Sequence, residues 1–94
     1  MRSDVSRLED IAQAIRRIEE KMDLEQFATD EMLQVWVLFH LQIIGEAARS
    51  LSQNLKLRYD NVPWSQIIGF CNQVAHEYFK VDWVHLTYLI SINA

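Results

Sequence analysis

Apolar residues return every three to four positions along most of this chain. Val5, Leu8, Ile11, Ala12, Ile15, Ile18 and Met22 place one apolar stripe on a helix from about Ser3 to Met22. Ser6 followed by Glu9 has capping-box spacing, and Ser3 is an equal alternative start. Arg7, Arg16, Arg17, Glu20 and Lys21 lie off the stripe on a solvated face, where Arg16 and Glu20 are expected to pair across one turn. After a connector through Asp23-Leu24-Glu25-Gln26-Phe27, a second period runs through Met32, Leu33, Trp36, Val37, His40, Ile43, Ile44, Ala47 and Leu51. It predicts a helix capped by Thr29 or Asp30 and reaching about Leu55. Val35, Leu38 and Phe39 widen the stripe beyond what one packed face requires, so this helix is expected to meet both its own domain and a partner. Glycine costs about 1 kcal/mol relative to alanine inside a helix, so Gly45 is expected to be there for close approach of another helix.

Between Asn54 and Pro63 the chain turns polar and irregular, with a turn at Asp60-Asn61. Pro63 suits the first position of a third helix, where its missing amide hydrogen costs nothing. On that helix Ile67, Phe70, Cys71, Val74, Ala75 and Tyr78 form an apolar side, while Asn72, Gln73 and His76 gather on another. Asn72 and His76 are four apart and about 40° out of line, so both suit one cleft; position 71 is turned about 140° from His76. A final helix is expected from about Asp82, with Trp83, Leu86, Leu89 and Ile90 on its apolar side. The pattern predicts an all-α fold, a small antiparallel bundle of about four helices, as one domain over 1–94.

Composition narrows this picture. A chain of 94 residues that is 50% hydrophobic, with Trp36, Trp64 and Trp83, carries more apolar surface than so small a monomer hides, so dimerisation through helices is expected. The tryptophans read as core or interface. The net charge of −4 argues against bulk attraction to nucleic acid, so an RNA site must be local or built between subunits. Cys71 is the lone cysteine and no secretory signal opens the chain, which points to the cytoplasm. The longest apolar run, Val35 to Phe39, is too short to span a bilayer. His40, Cys71, His76 and His85 form no zinc-ligand pattern, and no metal or cofactor site is expected.

The stretch Cys71-Asn72-Gln73-Val74-Ala75-His76-Glu77-Tyr78 resembles the motif of the HepT-like ribonucleases of the HEPN superfamily: arginine, four residues, histidine, any residue, tyrosine. Four further blocks share the resemblance in the family's order: Leu8-Glu9-Asp10-Ile11 with Ala14, Ile15 and Ile18; Gln42 to Ala48; Val62-Pro63-Trp64 with Ile68-Gly69; and Tyr78 to Asp82. The chain departs from the family pattern twice. Cys71 stands at the arginine position, and the chain stops at Ala94, where such domains usually continue through a longer final helix; a C-terminally shortened domain is the expectation.

The resemblance implies metal-independent cleavage of RNA, tRNA or mRNA, by attack of a ribose 2′-hydroxyl on the adjacent phosphate. It casts His76 as general acid or base with Asn72 beside it, the family arginine stabilising charge on phosphorus, and Tyr78 as acceptor of adenylate from an MNT-type nucleotidyltransferase. A thiol is a weak neutral donor where a guanidinium gives two charge-assisted bonds, so activity is expected to be weakened unless another arginine or lysine substitutes. Cys71 itself is expected to be a small, inert, partly buried side chain. Glu46 reads as a helix-face carboxylate, with a structural or dimer-facing role left open. Two functions stay in view: a toxin-type endoribonuclease homodimer paired with an antitoxin nucleotidyltransferase, and a catalytically degenerate helical dimer that binds, and is modified by, that partner.

Overall fold

Four of the five described helices begin at a residue whose side chain accepts from a first-turn amide. The computed structural model describes residues 3–76, the last two by backbone alone. Helix α1 runs over Asp4–Lys21, and the Ser3 hydroxyl accepts from the Ser6 amide at 3.1 Å, so Ser3 rather than Ser6 is the cap. Asp23 caps a four-residue helix, α2 (Leu24–Phe27), where only a connector was expected. Of the two candidate caps for the long helix, Asp30 is used: its carboxylate accepts from the Leu33 amide at 3.1 Å at the start of α3 (Glu31–Arg49).

Helix α3 ends at Arg49 and not near Leu55. The chain breaks at Ser50–Ser52, and Ser52 caps a separate short helix, α4 (Gln53–Arg58), in the stretch expected to be irregular. Two interactions fix the break. The Asp4 carboxylate accepts from both the Ser52 amide (2.9 Å) and the Ser52 hydroxyl (2.6 Å). Lys56 Nζ donates to the Arg49 carbonyl at 3.1 Å, closing the end of α3. Helix α5 covers Trp64–His76, and the Pro63 carbonyl accepts its first-turn bond from Ile67. The expected final helix from Asp82, with Trp83 and His85, lies outside the described residues.

The described residues are all-helical, and α3 is the central element, packed on α1 along one side and α5 along another. Its start meets the end of α1, where Trp36 Nε1 donates to the Arg17 carbonyl, and its far end meets the start of α1 at Asp4 and Ser52, so the two run antiparallel. Phe27, fully buried, packs with Leu33 and Val37 at one end of the core; Ala14, Ile44 and Cys71 join all three long helices further along. Gln34 is buried but satisfied, donating to the Phe27 carbonyl at 2.9 Å. No helix among the described residues is long and apolar enough to cross a membrane.

Candidate functional site

The crossing of α3 and α5 fixes where the motif residues sit. A Cβ built on Gly45 would lie 2.8 Å from the Cβ of Cys71 and 3.7 Å from Asn72 Oδ1, so the glycine is what lets the two helices approach this closely. Cys71 is 3% exposed, facing inward against Ala14 and Ile44. Burial raises its thiol pKa above the ordinary value, which keeps it protonated and unreactive. The expectation of an inert Cys71 fits this environment, and the side chain is more deeply enclosed than a partly buried one.

Asn72, one residue on, is rotated about 100° from Cys71 and half-buried beside the Gly45 turn of α3. The backbone of α5 continues to His76, one turn beyond Asn72, so the two positions share one side of the helix. Tyr78, the candidate modification acceptor, lies outside the described residues. Along the solvent side of α3 next to this crossing, Arg49 Nη2 donates to both oxygens of Glu46, at 2.8 and 2.6 Å. Glu46 is thus a helix-face carboxylate with a defined partner. The ion pair forms here and not between Arg16 and Glu20 on α1.

A groove of about 650 Å³ lies elsewhere, between α1 and α3, with Arg7, Asp10, Arg17, Phe39 and Glu46 among its walls. His40 also lines it but is 1% exposed. Its Nδ1 lies 2.8 Å from the Trp36 carbonyl and, since a carbonyl only accepts, donates to it, while the buried Nε2 has no hydrogen-bond partner among the described residues. The Trp36 and Phe39 rings flank the imidazole, at centroid distances of 4.4 and 5.2 Å. Cys71 and Asn72 do not contribute to this groove. Trp36 and Trp64 anchor helices through indole bonds to the Arg17 and Tyr59 carbonyls, in keeping with structural roles.

Residues 8–91 match the family model described as ribonuclease HepT-like. Among curated proteins, the chain is similar to a "Probable ribonuclease HepT" of Thermococcus cleftensis, 37% identical over 84 residues that cover 86% of this chain and 76% of the relative. A "Putative RNase" of Methanocaldococcus jannaschii is 34% identical over 65 residues, 69% of this chain and 60% of that protein. Another "Putative RNase", from Caldanaerobacter subterraneus subsp. tengcongensis, is 34% identical over 62 residues, 66% of this chain and 55% of its own length. The chain thus spans little more than half of several relatives that it matches. No solved structure matches it at a significant level.

Proposed function

The chain belongs to the HepT-like ribonuclease family, and from that membership we propose that it is an endoribonuclease that cleaves RNA without a metal ion, as the toxin component of a toxin–antitoxin pair. In this reading the 2′-hydroxyl proton passes to the His76 imidazole while the 2′-oxygen bonds phosphorus. The bond from phosphorus to the 5′-oxygen breaks, that oxygen takes a proton from water, and a cyclic phosphate remains. An imidazole suits the step because its ordinary pKa, near 6.5, leaves both protonation states accessible around neutral pH. Asn72 holds a phosphate or ribose oxygen in this reading. Two copies assemble with their α5 helices around one cleft in the cytoplasm, and an MNT-type nucleotidyltransferase silences the enzyme by adenylating Tyr78.

The observation that carries this reading is Asn72 at the α3–α5 crossing: its side chain lies half-buried against the Gly45 turn, one residue past the point where Cys71 turns into the core. The test is cleavage of a labelled oligoribonucleotide in EDTA. Products should carry a cyclic phosphate, and His76→Ala should lower the rate by about 10²- to 10⁴-fold. A rate unmoved by that substitution refutes the assignment.

One observation favours a second reading. The thiol at position 71 is enclosed and cannot meet a phosphate, which suits a degenerate module that dimerises and holds the nucleotidyltransferase. A chain that cleaves nothing yet forms a stable transferase complex, with adenylate on Tyr78 by mass spectrometry, selects that alternative.

A further inference from the structure

A phosphoryl transfer needs a cation near phosphorus, and position 71 cannot provide one. The geometry points to Arg49 as the substitute: we infer that its guanidinium leaves Glu46 to bind the scissile phosphate beside Asn72 and stabilises the charge that builds there during cleavage. The inference rests on the reading of Asn72 and His76 as the catalytic pair.

Arg49 follows Gly45 by four residues, which puts it about 40° around α3 and about 6 Å along the axis from the glycine. Helical side chains lean toward the N-terminus, and this one does, since its Nη2 reaches Glu46, the residue next to Gly45. Asn72 meets that same turn of α3 from the other helix, 3.7 Å from where a Gly45 Cβ would be. Arg49 and Asn72 therefore flank the same turn of α3, and the guanidinium, drawn to Glu46 on a wall of the α1–α3 groove, swings back toward Gly45 to reach the Asn72 amide. Both partners of the ion pair are more than half exposed, at 57% and 52% of their side-chain surface. Such a pair is screened and weak, so exchanging the carboxylate for a phosphate is easy, and a guanidinium offers that phosphate two parallel bonds. The neighbouring cation, Lys56, is engaged with the Arg49 carbonyl, while Arg7 and Arg17 belong to the groove on the α1 side.

In the cleavage step the 2′-oxygen–phosphorus bond forms and the phosphorus–5′-oxygen bond breaks, as above. Arg49 exchanges no proton and only neutralises the non-bridging oxygens. Arg49→Gln should therefore lower kcat by about 10²- to 10³-fold, with KM changing less. Glu46→Gln, which frees the guanidinium, should hold or raise the rate, and Lys56→Met should leave it within a few-fold. Adding Cys71→Arg to Arg49→Gln should restore cleavage. Because an arginine at the enclosed position 71 threatens folding, Arg49→Ala is also assayed with added guanidinium ion, helical circular dichroism confirming the fold; recovery supports the inference, and a folded, inactive, unrescued variant counts against it. Arg49→Gln that cleaves as fast as the parent overturns it. If the parent is inert while Cys71→Arg cleaves, Arg49 is no substitute but the His76 site stands. If both are inert and folded, the reading of the site falls, and this inference with it.

Discussion

Cys71 and Gly45 show how one pair of residues can set how closely two helices pack. The carbon that a side chain at Gly45 would add meets Cys71 Cβ at 2.8 Å, and a Cβ cannot swing aside as the tip of a long chain can. Gly45→Ala gains about 1 kcal/mol of helix propensity but loses about 1–3 kcal/mol to overpacking, so the net effect is destabilising or neutral, with α5 displaced from α3. The thiol is a built-in reporter, as Cys71 is the sole cysteine and is enclosed at 3% exposure. Native-state labelling by a thiol reagent should be slow in the parent and at least several-fold faster in Gly45→Ala. Unchanged labelling would mean that the crossing tolerates the methyl group. Gly69, on α5, contrasts with Gly45: a Cβ there would meet nothing within 4 Å, so alanine at that position should stabilise the helix.

At the scale of elements, the apolar period in the sequence disclosed α1, α3 and α5, because each buries a stripe long enough to repeat over several turns. It did not disclose α2 or α4. Helices of four and six residues are too short to display a period and are held by caps and tertiary bonds: Asp23 and the enclosed Phe27 for α2, and Ser52 with Asp4 for α4. Asp4 and Ser52 are 48 residues apart, so no local pattern could have paired them. The apolar Leu51 and Leu55 made α3 look continuous, and the bond to Asp4 is what stops it at Arg49. This contact has a pH signature. The Ser52 hydroxyl, then the Ser52 amide, hold the Asp4 carboxyl below the 3.8 of an unconstrained aspartate. A carboxyl whose folded pKa is lowered stabilises the fold above its unfolded pKa, and this contribution disappears as pH falls through the folded value. Melting temperature followed from roughly pH 5 downward should thus fall more steeply in the parent than in Asp4→Asn, the two curves converging at the acid end. Parallel curves would show that Asp4 does not couple α1 to α4. On α5 the apolar period already put Cys71 on the inward side and positions 72 and 76 on another, whereas its close contact with Gly45 required knowledge of how α5 crosses α3.

At the scale of the whole molecule, the central helix is only partly used by the fold around it. Leu33, Val37 and Ile44 are buried, yet Met32 (84% exposed), Val35 (50%) and Phe39 (58%) form a second apolar strip on its solvent side. Their spacing of three and four residues keeps the strip on one face, and Gln42, Glu46 and Arg49 continue it toward the α3–α5 crossing. A strip so placed suits the proposed second copy, since an interface that begins there extends toward the proposed cleft. Stable interfaces bury about 1,200–2,000 Å² in total, more than three side chains supply, so neighbouring polar residues must take part as a rim. A charge at the centre of the strip should therefore break the assembly without harming the fold. Val35→Asp is the sharper choice over Phe39, because Phe39 also packs edge-on against the His40 ring. The expected result by light scattering is a dimeric parent and a monomeric Val35→Asp chain with the same helical circular dichroism. If RNA lies between the two α5 helices, cleavage should fall with the loss of dimer and recover as protein concentration drives reassembly. A monomeric parent, or a dimer indifferent to Val35→Asp, would place the subunit contact on another face and detach it from the cleft.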